Sequence, residues 1–327
     1  FLPSVVEHTP QDVRIIVADN GSTDSSLELL SKEAQFGRVE TLIMDQNYGF
    51  AGGYNRALKE VDAECFVLLN SDVEVTPHWL ERMLEYMDAH SEVLAAQPKV
   101  LSWHSKQQFD QGKVTAIRFE HAGAAGGMMD MLGYPYCRGR LMTHLEEANG
   151  QYDEVRPIFW ATGACLLVRT RVYKELGGLD ANFFAHQEEI DLCWRIHNAT
   201  QYYPILSNAA PILYLPFSMV YHVGGATLGY ENPRKTFLNF RNNLLMLRKN
   251  VPLSRLWWVM LVRFFMDYLA ALQMLLTKQI PNFKAVLQAR LAYHKMKRNY
   301  SLLHQNIPNY TTPRSIVWDF YVKGKRK

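Results

Sequence analysis

The chain has 327 residues, 48% of them apolar and 20% charged, with a formal net charge of +3. That length suits one large domain with an appendage or two domains, and that composition excludes a disordered chain. A charge so small gives no footing for nucleic-acid binding. Cys65, Cys137, Cys165 and Cys193 are widely spaced with no CxxC pair, so a zinc site is not indicated and small core thiols are. No signal-peptide pattern is present, and the chain opens abruptly on Phe1-Leu2-Pro3.

In chain order, residues 13–18 are a β-branched apolar run and predict a buried strand. The run ends in Asp19-Asn20-Gly21-Ser22-Thr23-Asp24, turn formers that offer Ser22 or Asp24 as N-cap for a helix over 25–35. A strand over 39–44 follows, then a Gly-rich turn, Asn47 to Gly53, entering a helix over 52–61. The apolar run 65–69 predicts a strand that delivers Asn70-Ser71-Asp72 to its end. Pro77 opens a helix over 77–89, and 93–97 returns to strand. This alternation predicts an α/β fold with a doubly wound, mainly parallel sheet.

Residues 101–157 lose helical periodicity, and long connections with short antiparallel strands lining a cleft are expected there. Strands over 159–168 and near 212–215 flank a short helix, 171–176, stopped by Gly177-Gly178, and an acid-started helix from Glu188. From 234 onward the pattern is helical: 234–250, 255–277 and 283–304. The stretch 256–276 is strongly apolar but carries Arg263 and Asp267, and Trp257-Trp258 opens it. Two charges and a Trp pair fit a helix lying in a membrane interface, or one packed on the first domain, better than a spanning one.

Four features then converge: Asp19 and Asp72 at two strand ends, Glu188-Glu189 at a helix start, and His222 before Gly224-Gly225. Mg2+ takes carboxylate oxygen, and Mn2+ accepts imidazole as well. A cation on Asp72 and His222 could neutralise a diphosphate leaving group, while another carboxylate takes a proton from a hydroxyl. Glycosyl transfer from a nucleotide-sugar needs that combination. Each residue also has a plainer reading: Asp19 as a cap or turn former, the glutamates as complements to a helix dipole, His222 as a structural histidine.

Five segments in order resemble family 2 glycosyltransferases of the bacterial rhamnosyltransferase-like branch. They are Ile16 to Asp24, Asn47 to Asn55, Leu68 to Val75, Thr162 to Arg169, and Gly177-Gly178-Leu179-Asp180 through Glu188 to Arg195. The resemblance implies a GT-A domain over 1–250; the helical pattern beyond it makes 251–327 a helical C-terminal extension that can associate with a membrane. It implies an inverting, Mn2+- or Mg2+-dependent transfer from a nucleotide-diphosphate-sugar, UDP or dTDP before GDP, to a glycan or lipid-linked acceptor of a cell-surface polysaccharide. By the same resemblance Asp19 meets the nucleobase, Asn47 and Asn55 flank the nucleotide, and Asn70 takes the place of the first Asp of a DxD element. Asp72 is its metal ligand and His222 the late metal or diphosphate contact. Glu189 falls where the family's general base, usually Asp, sits, with Glu188 and Asp191 as alternatives.

The family's first strand has no counterpart after Phe1, so a strand preceding residue 1 is expected. The implied location is cytoplasmic, on the inner face of the membrane. The rival reading is a catalytically silent glycan-binding or scaffold protein on the same fold.

Overall fold

The computed structural model describes residues 1–34, 37–200, 211–224, 232–304 and 311–325. The first elements are α1 (Leu2–His8), β1 (Ile15–Asp19), α2 (Ser26–Ala34), β2 (Val39–Ile43), α3 (Gly49–Lys59), β3 (Cys65–Leu69), β4 (Val73–Val75), α4 (Glu81–Ala89) and β5 (Ala95–Ser102). The middle holds α5 (Trp103–Asp110), β6 (Gly127–Met129), β7 (Pro135–Cys137), β8 (Arg140–Leu141), β9 (His144–Leu145) and β10 (Arg156–Pro157). Then come β11 (Cys165–Arg169), α6 (Thr170–Glu175), α7 (Glu188–Ala199), β12 (Ile212–His222), α8 (Pro233–Asn250), α9 (Leu253–Leu276), α10 (Ile280–Met296) and α11 (Ile316–Tyr321).

Among the described residues the main sheet has six strands, in the order β10-β12-β5-β11-β3 with β4 paired on β12. Its middle strands β5, β11 and β12 are buried on both faces, as near-continuous apolar sequence requires. The expected mainly parallel pairing is corrected here. Within this sheet, among the described residues, only β5 and β12 pair in parallel; β11 runs antiparallel to both β3 and β5. The reason is the route of the chain. β11 arrives after the long excursion 103–164 and not through a crossover helix, so it can slot between two co-directed strands with opposite sense. β3, β5 and β12 still point one way, so strand ends still gather residues at one edge of the sheet.

β1 and β2 pair in parallel as a separate two-stranded sheet. β1 pairs only with β2, and β3 only with β11, among the described residues. The middle segment forms the expected short antiparallel strands, β6 to β9, and an unexpected helix, α5, capped by Ser102 accepting from the Ser105 N–H at 3.2 Å.

The principal core is continuous across residue 250. Leu244, Leu247, Val251, Leu256 and Val259 share one buried cluster with Leu68 and Leu166 of the sheet. Trp160 and Trp194 belong to it as well, with Trp160 donating to the Met128 carbonyl at 3.0 Å.

Candidate active site

Asp72 and His222 lie far apart in sequence and meet through strand pairing. β12 runs antiparallel to β4 with His222 opposite Val73, and the Val223 N–H donates to the Asp72 carbonyl at 3.2 Å. His222 Nε2 lies 3.2 Å from Asp72 Oδ1, and its Nδ1 lies 3.3 Å from Glu120 Oε2. Burial alone would push the imidazole down, but the flanking carboxylates push its pKa up to about 9. Asp72 and Glu120 resist the same burial penalty through His222 and are held below the usual range. Asn70 Nδ2 approaches His222 Nε2 at 3.5 Å.

Among the described residues no three His, Cys, Asp or Glu side chains are grouped to hold a metal. Once a cation displaces the His222 proton, Asp72 and His222 form a two-donor platform of carboxylate and imidazole. That suits a hard divalent ion that keeps waters and completes its shell with substrate phosphates. Glu120 behind the far ring nitrogen is the kind of outer partner that orients a metal-binding histidine. Gly225 lies outside the described residues. Gly224 does not: with φ +68, a Cβ there would strike Glu120 Oε1 at 2.3 Å.

Glu188 and Glu189 begin α7, in a first turn that also contains Asp191. Their environments differ. Glu188 is 3% exposed and its Oε2 is buried without a hydrogen-bond partner among the described residues; burial first, and Glu189 second, raise its pKa well above the ordinary value. Glu189 is half-buried, and burial pushes its pKa up to about 7 against backbone N–H groups that include that of Gly163. Gly163 stands against Phe50 and Glu189, while Ala164, its neighbour, accepts from the Asn70 N–H at 3.0 Å. The turn Thr162-Gly163-Ala164 therefore adjoins both the Asp72 strand end and the Glu189 helix start.

Asp191 has a different job. It is fully buried, its Oδ2 bonds Arg195 Nε at 2.8 Å and Lys249 Nζ at 2.9 Å, and its Oδ1 accepts from Asn250 at 2.7 Å. Burial would raise its pKa, yet these cations hold it below the ordinary range. Asp191, expected as an alternative base, is thus engaged by two cations and an amide.

Asp19, 5% exposed, closes β1 and accepts from the Ser22 N–H at 3.2 Å. Asn47 Oδ1 accepts from the Gly49 N–H at 2.8 Å, and Asn20 bridges to the Tyr48 N–H and the Gly49 carbonyl, so this loop is a self-capping turn at the start of α3. Asn55, expected beside the nucleotide, makes structural bonds. Its amide donates to the Leu179 carbonyl at 2.6 Å and accepts from the Leu179 N–H and Tyr173 Oη. Those bonds make it a tie between α3 and the turn after α6.

Sequence reasoning missed Glu120, which sits in the stretch without readable period. Pairing explains its arrival: the Glu120 N–H donates to the Val100 carbonyl at 3.1 Å, and Val100 faces Val220 across the β5–β12 ladder. The only sequence signal was an acidic residue in an otherwise unpatterned segment.

Residues 1–146 match the family described as glycosyl transferase family 2. They carry the sequence of a family 2 glycosyltransferase. The chain is similar to an N-acetylglucosaminyl-diphospho-decaprenol L-rhamnosyltransferase of Mycobacterium tuberculosis, 26% identical over 210 residues, which cover 61% of this chain and 66% of that protein. It is also similar to the O-antigen biosynthesis protein RfbC of Myxococcus xanthus, 27% identical over 187 residues, 56% of this chain and 13% of that one. The chain thus spans less than two thirds of either relative's length. A crystal structure of GalNAc-T7 with UDP, GalNAc and Mn2+ matches at a TM-score of 0.50 and 14% identity, covering 68% of this chain and 39% of that one. The shared fold is GT-A, as the glycosyltransferase domain's sequence implies.

Proposed function

We propose that this glycosyltransferase-domain chain transfers a sugar from a nucleotide-diphosphate donor to a hydroxyl of a glycan or lipid-linked acceptor, with inversion, in surface-polysaccharide assembly. The observation that carries the reading is Glu189: a half-buried carboxylate with its pKa near 7, beside the turn that adjoins Asp72. A base poised near neutral pH is what proton removal from a hydroxyl requires. Glu189 takes that proton as the acceptor oxygen bonds to the anomeric carbon. The bond from that carbon to the diphosphate breaks on the opposite side, and the diphosphate leaves with the electron pair. A divalent cation held by Asp72 and His222, Mn2+ or Mg2+, would neutralise charge on the diphosphate. Asp19 offers a carboxylate to the imide N–H of uracil or thymine, which favours UDP or dTDP over GDP.

The C-terminal helices dock on the inner leaflet in this reading. What supports it is the outward face of α9, where Trp257, Leu261, Phe265, Leu269, Leu272 and Leu276 are exposed. The test of the function is a thermal-shift screen against UDP-, dTDP- and GDP-sugars with and without Mn2+, followed by a transfer assay with the donor that binds. Stabilisation by a uridine or thymidine donor, larger with Mn2+ and lost in Asp72→Ala, is expected. No shift with any nucleotide-sugar would overturn the reading.

A further inference from the structure

The residues that enter the Glu188–Glu189 helix start adopt a backbone that L-residues avoid. Phe184, His186 and Gln187 have φ of +67, +71 and +72. Such residues persist only where their surroundings over-determine them, and they concentrate at functional sites. Gln187 is the N-cap of α7 and makes no capping bond with its side chain, so the hold must come from elsewhere.

It comes from three consecutive residues of α8. Asn242, fully buried, directs its Nδ2 at the carbonyls of Phe183, Ala185 and His186, at 3.0, 2.9 and 2.8 Å. Arg241 adds bonds to the Asn182 and Phe183 carbonyls at 3.1 and 2.9 Å, and its Nε fixes the Asn242 side chain at 2.9 Å. Asn243 donates to Gln187 Oε1 at 2.9 Å and to the Gly133 carbonyl at 3.0 Å.

Asn243 is itself locked from α9. Arg263 Nη1 donates to Asn243 Oδ1 at 2.5 Å and to the Leu132 carbonyl at 3.2 Å, with its guanidinium 3.9 Å from the centre of the Tyr134 ring. Asp267 holds Arg263 Nε at 3.3 Å and Arg290 Nη1 of α10 at 2.6 Å. All three charged side chains are buried.

We propose that Asn242 and Asn243 are positioning residues that hold the 183–187 turn, with its positive-φ residues Phe184, His186 and Gln187, and so fix the Glu188–Glu189 helix start, with Arg263 locking Asn243 from the C-terminal helices. The inference deepens the proposed transferase reading and rests on it for the role of Glu189, but the clamp itself is a matter of backbone geometry. Small misplacement of a reacting group costs rate more than affinity.

The experiment uses the full chain and the variants Asn242→Ala, Asn243→Ala, Arg263→Lys and Arg263→Met. Amide hydrogen exchange across 184–189 is read against β5 and α10, beside kcat and donor KM. Both asparagine variants are expected to speed exchange in 184–189 and not in β5 or α10. They should lower kcat roughly 10- to 100-fold with donor KM nearly unchanged. Arg263→Lys, which keeps a donor and a charge, should recover most of the kcat that Arg263→Met loses. Unchanged exchange at 184–189, or acceleration shared equally by β5 and α10, would overturn the clamp. Faster exchange confined to 184–189 in a chain whose wild type transfers no sugar keeps the clamp and refutes the role given to Glu189, so the two failures are distinct.

Discussion

Glu189 ionises against its surroundings, and that sets both its chemistry and its cost. With its pKa near 7, transfer should climb with pH through about 7 and level off above it, because the ionised form is the base. Glu189→Gln should lower kcat by about 10²- to 10⁴-fold while leaving donor affinity nearly intact, and the pH-dependent limb should vanish. Wild-type turnover in that variant would remove Glu189 from the role. The stability sign runs the other way. A carboxyl raised above its ordinary value favours the folded state while it is protonated, and that contribution is lost as pH rises from the ordinary carboxylate range through about 7. Glu189→Gln should therefore melt higher than wild type at pH 8 and alike at pH 4.5. Asp191 provides the contrast. Its pKa is depressed by Arg195 and Lys249, so its contribution is present at neutral pH and is lost only as pH falls below the usual carboxylate range. Asp191→Ala strands two cations at a buried site and should cost about 3–5 kcal/mol by urea denaturation. The sequence separates these neighbours poorly, since all three acids sit in one helical turn. What divides them is that Lys249 and Asn250, more than fifty residues on, bond Asp191 and neither glutamate among the described contacts, and no local spacing encodes that.

At the scale of elements, periodicity made most strands and helices legible because their apolar faces are local facts. β3 matches the run 65–69, and α7 begins at Glu188 where the acids cluster. Pairing is not local. That β11 would enter the sheet reversed, or that β12 would extend to His222 and carry it beside Asp72, depends on partners remote in the chain. The same holds for α9. Its composition passes for a membrane span, and Leu253–Leu276 is long and apolar enough to cross one. Yet Arg263 and Asp267 face inward, 2% and 1% exposed, and bond to α8 and α10. Asp267 neutralises two buried arginines, so Asp267→Ala should destabilise the chain by about 3–5 kcal/mol. The exposed pair Arg14–Glu40, 2.8 Å apart, is the control: Glu40→Ala should hardly move the denaturation midpoint. A midpoint as unmoved by Asp267→Ala would mean that the C-terminal helices are not held on the glycosyltransferase domain by this network.

For the molecule as a whole, the buried network decides how α9 can meet a bilayer. Spanning the membrane would carry Arg263 and Asp267 into hydrocarbon, at about 2.5–3.5 kcal/mol or more each, and would break their bonds to α8 and α10 as well. Lying flat keeps those bonds and wets only the opposite face with lipid. On that face Trp257, Leu261, Phe265 and Leu269 recur at four-residue spacing, each more than half exposed. The exposed Lys278, Lys284 and Lys295 follow on the same helical hairpin, and each basic group near an anionic surface adds about 1 kcal/mol. An apolar stripe plus a few cations predicts reversible, charge-dependent docking and not permanent insertion. The chain should pellet with vesicles containing anionic lipid at low salt, release at high salt, and ignore neutral vesicles. Phe265→Glu with Leu269→Glu should abolish pelleting and leave the melting temperature and donor binding near wild type, since neither side chain packs in the core. Salt-insensitive pelleting would point to insertion. No pelleting at low salt, with the protein eluting as a dimer that the double variant dissociates, would assign the stripe to a second copy of the chain.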